Sequence, residues 1–178
     1  MSELSNKKVA FLLTNGYEDS ELTSPWEAVT QAGAEAVLVA PEKGEVEGKK
    51  GHTQKVDQVT ADADAGDFDA LVLPGGVVNA DHLRMDEAAV AFTRAFFDAS
   101  KPVGVICHGG WILTDADVLK GRKMTSYSSL RTDLRNAGAE WVDEEVVVDQ
   151  GLVSSRTPDD LPAFNAKLVE EFAEGKHA

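Results

Sequence analysis

The chain of 178 residues carries 17 Lys and Arg against 31 Asp and Glu, a formal net charge of −14, and 43% of it is hydrophobic. That length suits one folded domain, the apolar share excludes a disordered tail, and the acidity disfavours nucleic acid and anionic membrane surfaces as partners. One cysteine permits no internal disulfide, and four scattered histidines make no metal-ligand spacing, so neither a metal nor another cofactor is expected. No apolar run is long enough to cross a bilayer, and the first eight residues lack a secretory layout, so a cytoplasmic protein is expected.

The first apolar run, Val9-Ala10-Phe11-Leu12-Leu13-Thr14, reads as a buried parallel strand closed by Asn15-Gly16. A helix follows over residues 20–32, with Pro25 near its first turns and Gly33 as its stop. Residues 36–40 form a second strand, and the Gly-, Lys- and Glu-rich stretch 42–58 reads as a surface excursion containing a small hairpin. Ala70-Leu71-Val72-Leu73 is a strand stopped by Pro74-Gly75-Gly76; residues 86–99 have helical spacing. Residues 102–106 are the next strand, with Cys107 at its carboxyl end, and residues 110–118 look helical. A short strand at 123–125, a helix over 130–137, a hairpin turning at Asp149-Gln150-Gly151 and a helix from 159 to 174 complete the chain. Alternation of strand and helix predicts one α/β domain over residues 1–178, with a mostly parallel sheet covered on both faces.

In open α/β sheets chemistry gathers at the carboxyl ends of strands. Three such edges stand out: Asn15-Gly16-Tyr17-Glu18, Pro74-Gly75-Gly76 and Cys107-His108-Gly109-Gly110. A cysteine at the tip of a strand that turns at once into a helix is held in a strained backbone, its side chain directed outward as in a nucleophile elbow. A lone cysteine is more often a small buried hydrophobe. The apolar strand before it, the adjoining His108 and two glycines favour a nucleophile, with the helix amino end expected to stabilise a thiolate. Gly75, Gly76 and His108 can present backbone N–H groups as an oxyanion hole. Glu18 reads either as a carboxylate favoured by a helix amino end or as a protonated partner of the Cys107 sulfur. His52, His82 and His177 lie in loops or the tail and read as exposed side chains.

At these residues the chain resembles the ThiJ/PfpI family, in its intracellular-peptidase-like branch. The matching segments are Gly16-Tyr17-Glu18-Asp19-Ser20-Glu21-Leu22, Leu71-Val72-Leu73-Pro74-Gly75-Gly76, Leu83-Arg84 and Lys101-Pro102-Val103-Gly104-Val105-Ile106-Cys107-His108-Gly109. The last runs from Ser154-Ser155-Arg156-Thr157-Pro158 to Phe164, so that ordered matches span nearly the whole chain. The resemblance implies a flavodoxin-like three-layer α/β sandwich and a homo-oligomer, a dimer or hexamer. It also implies Cys107 as nucleophile, His108 as general base and Glu18 as the carboxylate partner of the cysteine. An acid borrowed from a neighbouring subunit orients the histidine in this branch; Asp81, after a loop one residue longer, falls near that position. Gly110 stands where many relatives carry proline. Glutamine amidotransferases share the fold but need a late histidine, and none lies between Thr125 and Gly175.

Together these features predict a cysteine-dependent stress-protection enzyme acting on reactive aldehydes such as methylglyoxal, or on their early adducts with protein and nucleotide amines. An intracellular cysteine peptidase would use the same groups on a peptide carbonyl, and a redox sensor or chaperone would use oxidation of Cys107.

Overall fold

The computed structural model describes residues 2–176, so that His177 lies outside the described residues. The chain runs β1 (Lys8–Leu12), α1 (Asp19–Gln31), β2 (Glu35–Ala40), β3 (Glu45–Glu47), β4 (Thr53–Lys55) and β5 (Gln58–Val59). It continues with β6 (Ala70–Leu73), α2 (Val77–Leu83), α3 (Glu87–Asp98), β7 (Val103–Ile106), α4 (Trp111–Ala116) and β8 (Lys123–Met124). The final elements are α5 (Arg131–Asn136), β9 (Glu140–Trp141), β10 (Val147–Asp149), β11 (Leu152–Ser155) and α6 (Leu161–Glu174).

Seven strands form one sheet in the order β10-β11-β7-β6-β1-β2-β5. All neighbours run parallel except the β10–β11 hairpin, whose turn residues Gln150 and Gly151 have φ of 51° and 83°. The β1 run is continuously apolar because both of its faces are buried. Val9 and Phe11 pack with Leu22 and Val29 of α1 and with Phe164, Leu168 and Phe172 of α6. Ala10 and Leu12 face the opposite way, toward Phe92 and Phe96 of α3 and Ile112 and Leu113 of α4. This is the expected flavodoxin-like three-layer α/β sandwich.

The helix expected at 86–99 is capped by Asp86, whose carboxylate accepts the Ala89 N–H at 3.1 Å and the Thr60 hydroxyl at 2.6 Å. Pro25 lies further inside α1 than its sequence position suggested; it removes the N–H that would have met the carbonyl of Glu21. Three elements escaped the sequence pattern, β5, α2 and β9, each too short to establish a period. No helix among the described residues is long and apolar enough to cross a membrane.

Gly104 in β7 lets α6 approach closely, since a Cβ there would run into Leu168 Cδ2 and lie 3.2 Å from Phe164 Cζ. Gly104→Val is expected to destabilise the fold by about 2 kcal/mol through overpacking. Its denaturation midpoint measures this; an unchanged midpoint would mean that α6 yields freely.

The sheet order places the carboxyl ends of β1, β6 and β7 side by side. From β1 the chain winds outward to β2 on one side and to β6 and β7 on the other, so the crevice at this edge is a switch point of the topology.

Candidate active site

Cys107 leaves the end of β7 with φ of 62°, a left-handed backbone rarely adopted by residues with a Cβ. A short 3-10 turn, Cys107–Gly110, leads directly into α4. Gly109 is required here by close approach: a Cβ at this position would collide with the Leu73 carbonyl oxygen and sit 2.9 Å from that of Pro74, at the end of neighbouring β6. Gly110 has an ordinary helical φ of −72°, so the absence of proline there leaves the turn intact.

The sulfur lies 3.3 Å from His108 Nδ1. The imidazole is stacked on Tyr127, with ring centroids 4.8 Å apart and planes 25° apart, and it meets Trp111 edge-on. Its second nitrogen, Nε2, lies 3.2 Å from Ser129 Oγ. Burial, followed by the charge of Lys49, holds the His108 pKa below its ordinary value, so the ring is neutral at physiological pH.

The carboxylate partner of the cysteine is Glu21, which corrects the expectation placed on Glu18. Glu21 is fully buried on the inward face of α1; its Oε1 accepts the Gly75 N–H at 2.8 Å, and its side chain interacts with the Cys107 thiol. Oε2 forms no hydrogen bond of its own, so a neutral acid leaves no uncompensated charge buried there. Burial pushes Glu21 up to about 8, so it is protonated at neutral pH. Glu18 stands one helical turn earlier, at the N-cap of α1, and its side chain forms no cap. It pairs instead with Lys49, and with Lys50 at 3.0 Å. Burial alone would raise the Glu18 pKa, but these two ammonium groups outweigh it and keep the carboxylate ionised. Glu18 therefore lies on the cavity wall as a charged group, contrary to its expected protonated state.

Lys49 and Lys50 arrive on the excursion anticipated from composition, which is the β3–β4 hairpin. Its tip is tied to the β1–α1 loop: Asp19 accepts the N–H groups of Lys50 and His52, at 3.1 and 2.9 Å, and the buried Tyr17 hydroxyl donates to the His52 carbonyl at 2.9 Å. His52 itself contacts Gln54 and Tyr17 rather than the sulfur. The lysines drew no attention in the sequence because a basic loop is usually only a solvated one.

The backbone N–H groups expected as oxyanion donors are differently engaged. The Gly75 N–H is occupied by Glu21, whereas the Gly76 and His108 N–H groups bond the sulfur. Gly76 has φ of 95°, and a Cβ on it would sit 2.7 Å from the Glu18 nitrogen. Asn79, fully buried and not anticipated, fixes this turn: its Nδ2 donates to the carbonyls of Pro74 (3.1 Å) and Gly75 (3.0 Å), while its Oδ1 accepts the Thr14 N–H at 2.7 Å. Holding the two carbonyls sets the direction of the Gly75 and Gly76 N–H groups on the opposite edges of the same peptides.

Burial, reinforced by any charge on Glu21, pushes the Cys107 thiol up to about 12, against the pull of the Gly76 and His108 N–H groups and Lys49. A resting thiolate was expected from the helix amino end. Cys107 is instead buried, 9% exposed, and separated from α4 by a further turn, so the resting pair is a neutral thiol beside a neutral imidazole. The cavity in front of it has a volume of about 310 Å3 and is bounded by Glu18, Lys49, Val77, Tyr127, Thr157 and Pro158. The Thr157-Pro158 wall is braced by Arg156, whose guanidinium bonds both oxygens of the buried Asp160, at 2.9 and 3.0 Å. A larger hollow of about 500 Å3, between Lys43 and Asp67, shares no residue with this site and contains no nucleophile.

Asp81 lies on the exposed side of α2, 4.0 Å from His82, and does not line the cavity of its own chain. Both side chains are more than half exposed. No cluster of potential metal ligands occurs among the described residues.

A doubly covered parallel sheet with a strained cysteine at a strand tip, a histidine beside it and a buried acid facing it defines a class of cysteine-elbow α/β proteins. Within that class, the model of the DJ-1/PfpI family matches residues 7–171, and the chain belongs to this family. It is 51% identical over 166 residues to General stress protein 18 of Bacillus subtilis, covering 92% of this chain and 96% of the relative. It is 48% identical over 167 residues to protein/nucleic acid deglycase 2 of Escherichia coli, covering 92% and 96% respectively. Among solved structures it superposes with a TM-score of 0.90, at 35% identity, on a two-domain protein with DJ-1/ThiJ/PfpI-like and ferritin-like domains from Anabaena variabilis. That match covers 93% of this chain and 48% of the other.

Proposed function

We propose that this chain is a cysteine-dependent deglycase of the glyoxalase type, acting on methylglyoxal-like aldehydes and on their early adducts with amines. The observation that carries the reading is the 3.3 Å Sγ···Nδ1 contact at a left-handed Cys107, opening into a cavity with room for a three-carbon aldehyde or its amine adduct. The names of the Escherichia and Bacillus relatives support a deglycase active in stress protection.

His108 Nδ1 removes the thiol proton as the sulfur bonds to the aldehyde carbon; the sulfur, no longer anionic, releases the Gly76 and His108 N–H groups, and the new alkoxide accepts them. His108 returns that proton to the alkoxide and, neutral again, carries the proton of the same carbon to its ketone neighbour while the hydroxyl proton passes to the ketone oxygen; one carbon is oxidised and the next reduced, which leaves a lactoyl thioester. Water cleaves the sulfur–acyl bond, releases lactate and restores the thiol, so methylglyoxal and water give lactate without an external oxidant. With an amine adduct, the sulfur replaces the nitrogen on that carbon: the carbon–sulfur bond forms as the carbon–nitrogen bond breaks, and the amine departs with the proton that His108 took from the thiol. Glu21, kept protonated, donates a hydrogen bond to the sulfur throughout.

The same cavity favours this chemistry over the alternatives. A peptide requires an extended groove, and a buried neutral thiol is a poor peroxide target. We include in the proposal a homo-oligomer: Val77, Val78 and Met85, on α2 and the turn after it, are each at least 50% exposed, and Asp81 on the same helix would meet His108 of a neighbouring copy. Purified protein assayed against methylglyoxal, methylglyoxal-treated amino acids and fluorogenic peptides should form lactate and release free amine without cleaving peptides. Peptide cleavage without lactate would overturn the reading in favour of a peptidase.

A further inference from the structure

A neutral three-carbon aldehyde needs no ion pair at the wall of its cavity, yet Glu18 and Lys49 both line it. We infer that Lys49 is a specificity-determining residue that binds the carboxylate of methylglyoxal adducts formed on α-amino acids. The inference rests on the proposed deglycase reaction and names the amines that this reaction frees.

Charge at this wall does not cancel. Glu18 meets an ammonium on each oxygen, Lys49 on Oε2 and Lys50 on Oε1, which leaves the trio with one positive charge in excess. Lys50 lies outside the lining, so Lys49 is the cation that a ligand meets. Its bond to Glu18 raises its pKa, so it stays charged, and two of its three N–H donors remain for a ligand. The other ionisable groups nearest the sulfur, Glu21 and His108, are neutral, as is the thiol itself.

A docked backbone holds this ammonium in place. The Lys49 N–H donates at 2.9 Å to the carbonyl of Tyr17, the residue before Glu18. On either side, the Gly16 N–H donates to the Glu47 carbonyl at 2.9 Å and the Gly48 N–H to that of His52 at 2.8 Å. A Cβ on Gly48 would collide with the Asp19 carboxylate, so the hairpin tip is seated directly against the β1–α1 loop. The Lys49 side chain is half-exposed and therefore stands at the rim of the cavity.

In an adduct on an α-amino acid, the carbon attacked by sulfur bears the nitrogen, and the carboxylate hangs from the carbon on the far side of that nitrogen. It extends away from the sulfur, toward the rim. An amide in its place keeps the shape and removes the charge.

Two measurements on the full chain test this. Cys107 is the only cysteine, so iodoacetate and iodoacetamide, close in size and different in charge, compete for one sulfur, and intact mass reads the products. Each forms a sulfur–carbon bond and expels iodide. Lys49→Met should lower the iodoacetate-to-iodoacetamide rate ratio about tenfold, the equivalent of one charge-assisted hydrogen bond. A change in thiol acidity affects both reagents alike and cancels. Glu18→Gln should raise the ratio and Lys49→Arg should keep it. Lys50→Met, the same loss of charge outside the cavity, should move it less than about threefold because solvent screens it. The wild type should also split the methylglyoxal adduct of alanine about tenfold faster in kcat/KM than that of alaninamide, a preference lost in Lys49→Met. A ratio unchanged in Lys49→Met or lowered equally in Lys50→Met, or equal cleavage of both adducts by the wild type, would overturn the inference. A Lys49-dependent ratio in a protein that splits neither adduct would uphold the carboxylate site and sink the deglycase reading instead.

Discussion

Cys107→Ala is expected to abolish lactate formation from methylglyoxal, with a loss of about 10^4-fold or more in kcat/KM, because no other group in the cavity can form the covalent intermediate. Glu18, Glu21 and His108 remain, but a carboxylate held by two lysines, an acid kept neutral by burial and a stacked imidazole are poor substitutes for sulfur. Cys107→Ser should fare little better. Its hydroxyl is far less acidic than a thiol, and an imidazole whose basicity is already reduced by burial draws its proton poorly. Circular dichroism and the melting temperature should stay close to wild type, since alanine fits the space and inherits the same backbone. Activity in Cys107→Ala within tenfold of wild type would remove the covalent mechanism altogether.

The second large effect concerns Glu21 and pH. The side chain is fully buried, and burial raises its pKa from 4.5 to about 8. Between those two values the folded chain binds a proton at Glu21 that the unfolded chain has released. Stability therefore falls as pH rises through this window, by on the order of 5 kcal/mol, with the full penalty present above about 8. Glu21→Gln should remove that slope: near pH 4.5 the two proteins would differ little, while at pH 9 the variant would be the more stable. Glutamine retains an acceptor for the Gly75 N–H and a donor for the sulfur, so much of the neutral-pH activity should survive. The alkaline loss of activity should also move upward in the variant. In the wild type an ionised Glu21 would repel the developing alkoxide and raise the thiol, with Glu18 adding its negative charge and Lys49 opposing both. Urea denaturation at a series of pH values reads the slope; identical slopes in both proteins would show that Glu21 is ionised throughout.

These two residues also mark where the sequence was legible and where it was not. Cys107 stood out because an apolar strand, one cysteine, a histidine and paired glycines are contiguous, so the elbow is encoded locally. The sandwich was legible for a similar reason: runs such as 9–13 and 103–106 are apolar on both faces, as only a doubly covered parallel strand requires. Sequence alone points to Glu18 rather than Glu21 because the two lie one turn apart at the start of α1, and spacing gives both the same direction. The usable signal was burial, since Glu21 continues the inward stripe of Leu22, Pro25 and Val29, whereas Glu18 faces the hairpin lysines. That hairpin contact spans more than thirty residues and leaves no periodic trace. Asn79 and Ser129 stayed hidden because each meets its partner only in the folded chain, one beneath a glycine turn and the other beside a ring 21 residues earlier.

The left-handed backbone at residue 107 sets a conflict between durability and reactivity. A chain selected only to last would put glycine there and relieve the strain, much as glycine already occupies Gly76. Keeping a side chain in that conformation leaves the fold less stable than its own sequence could make it, at the one residue where the reaction begins.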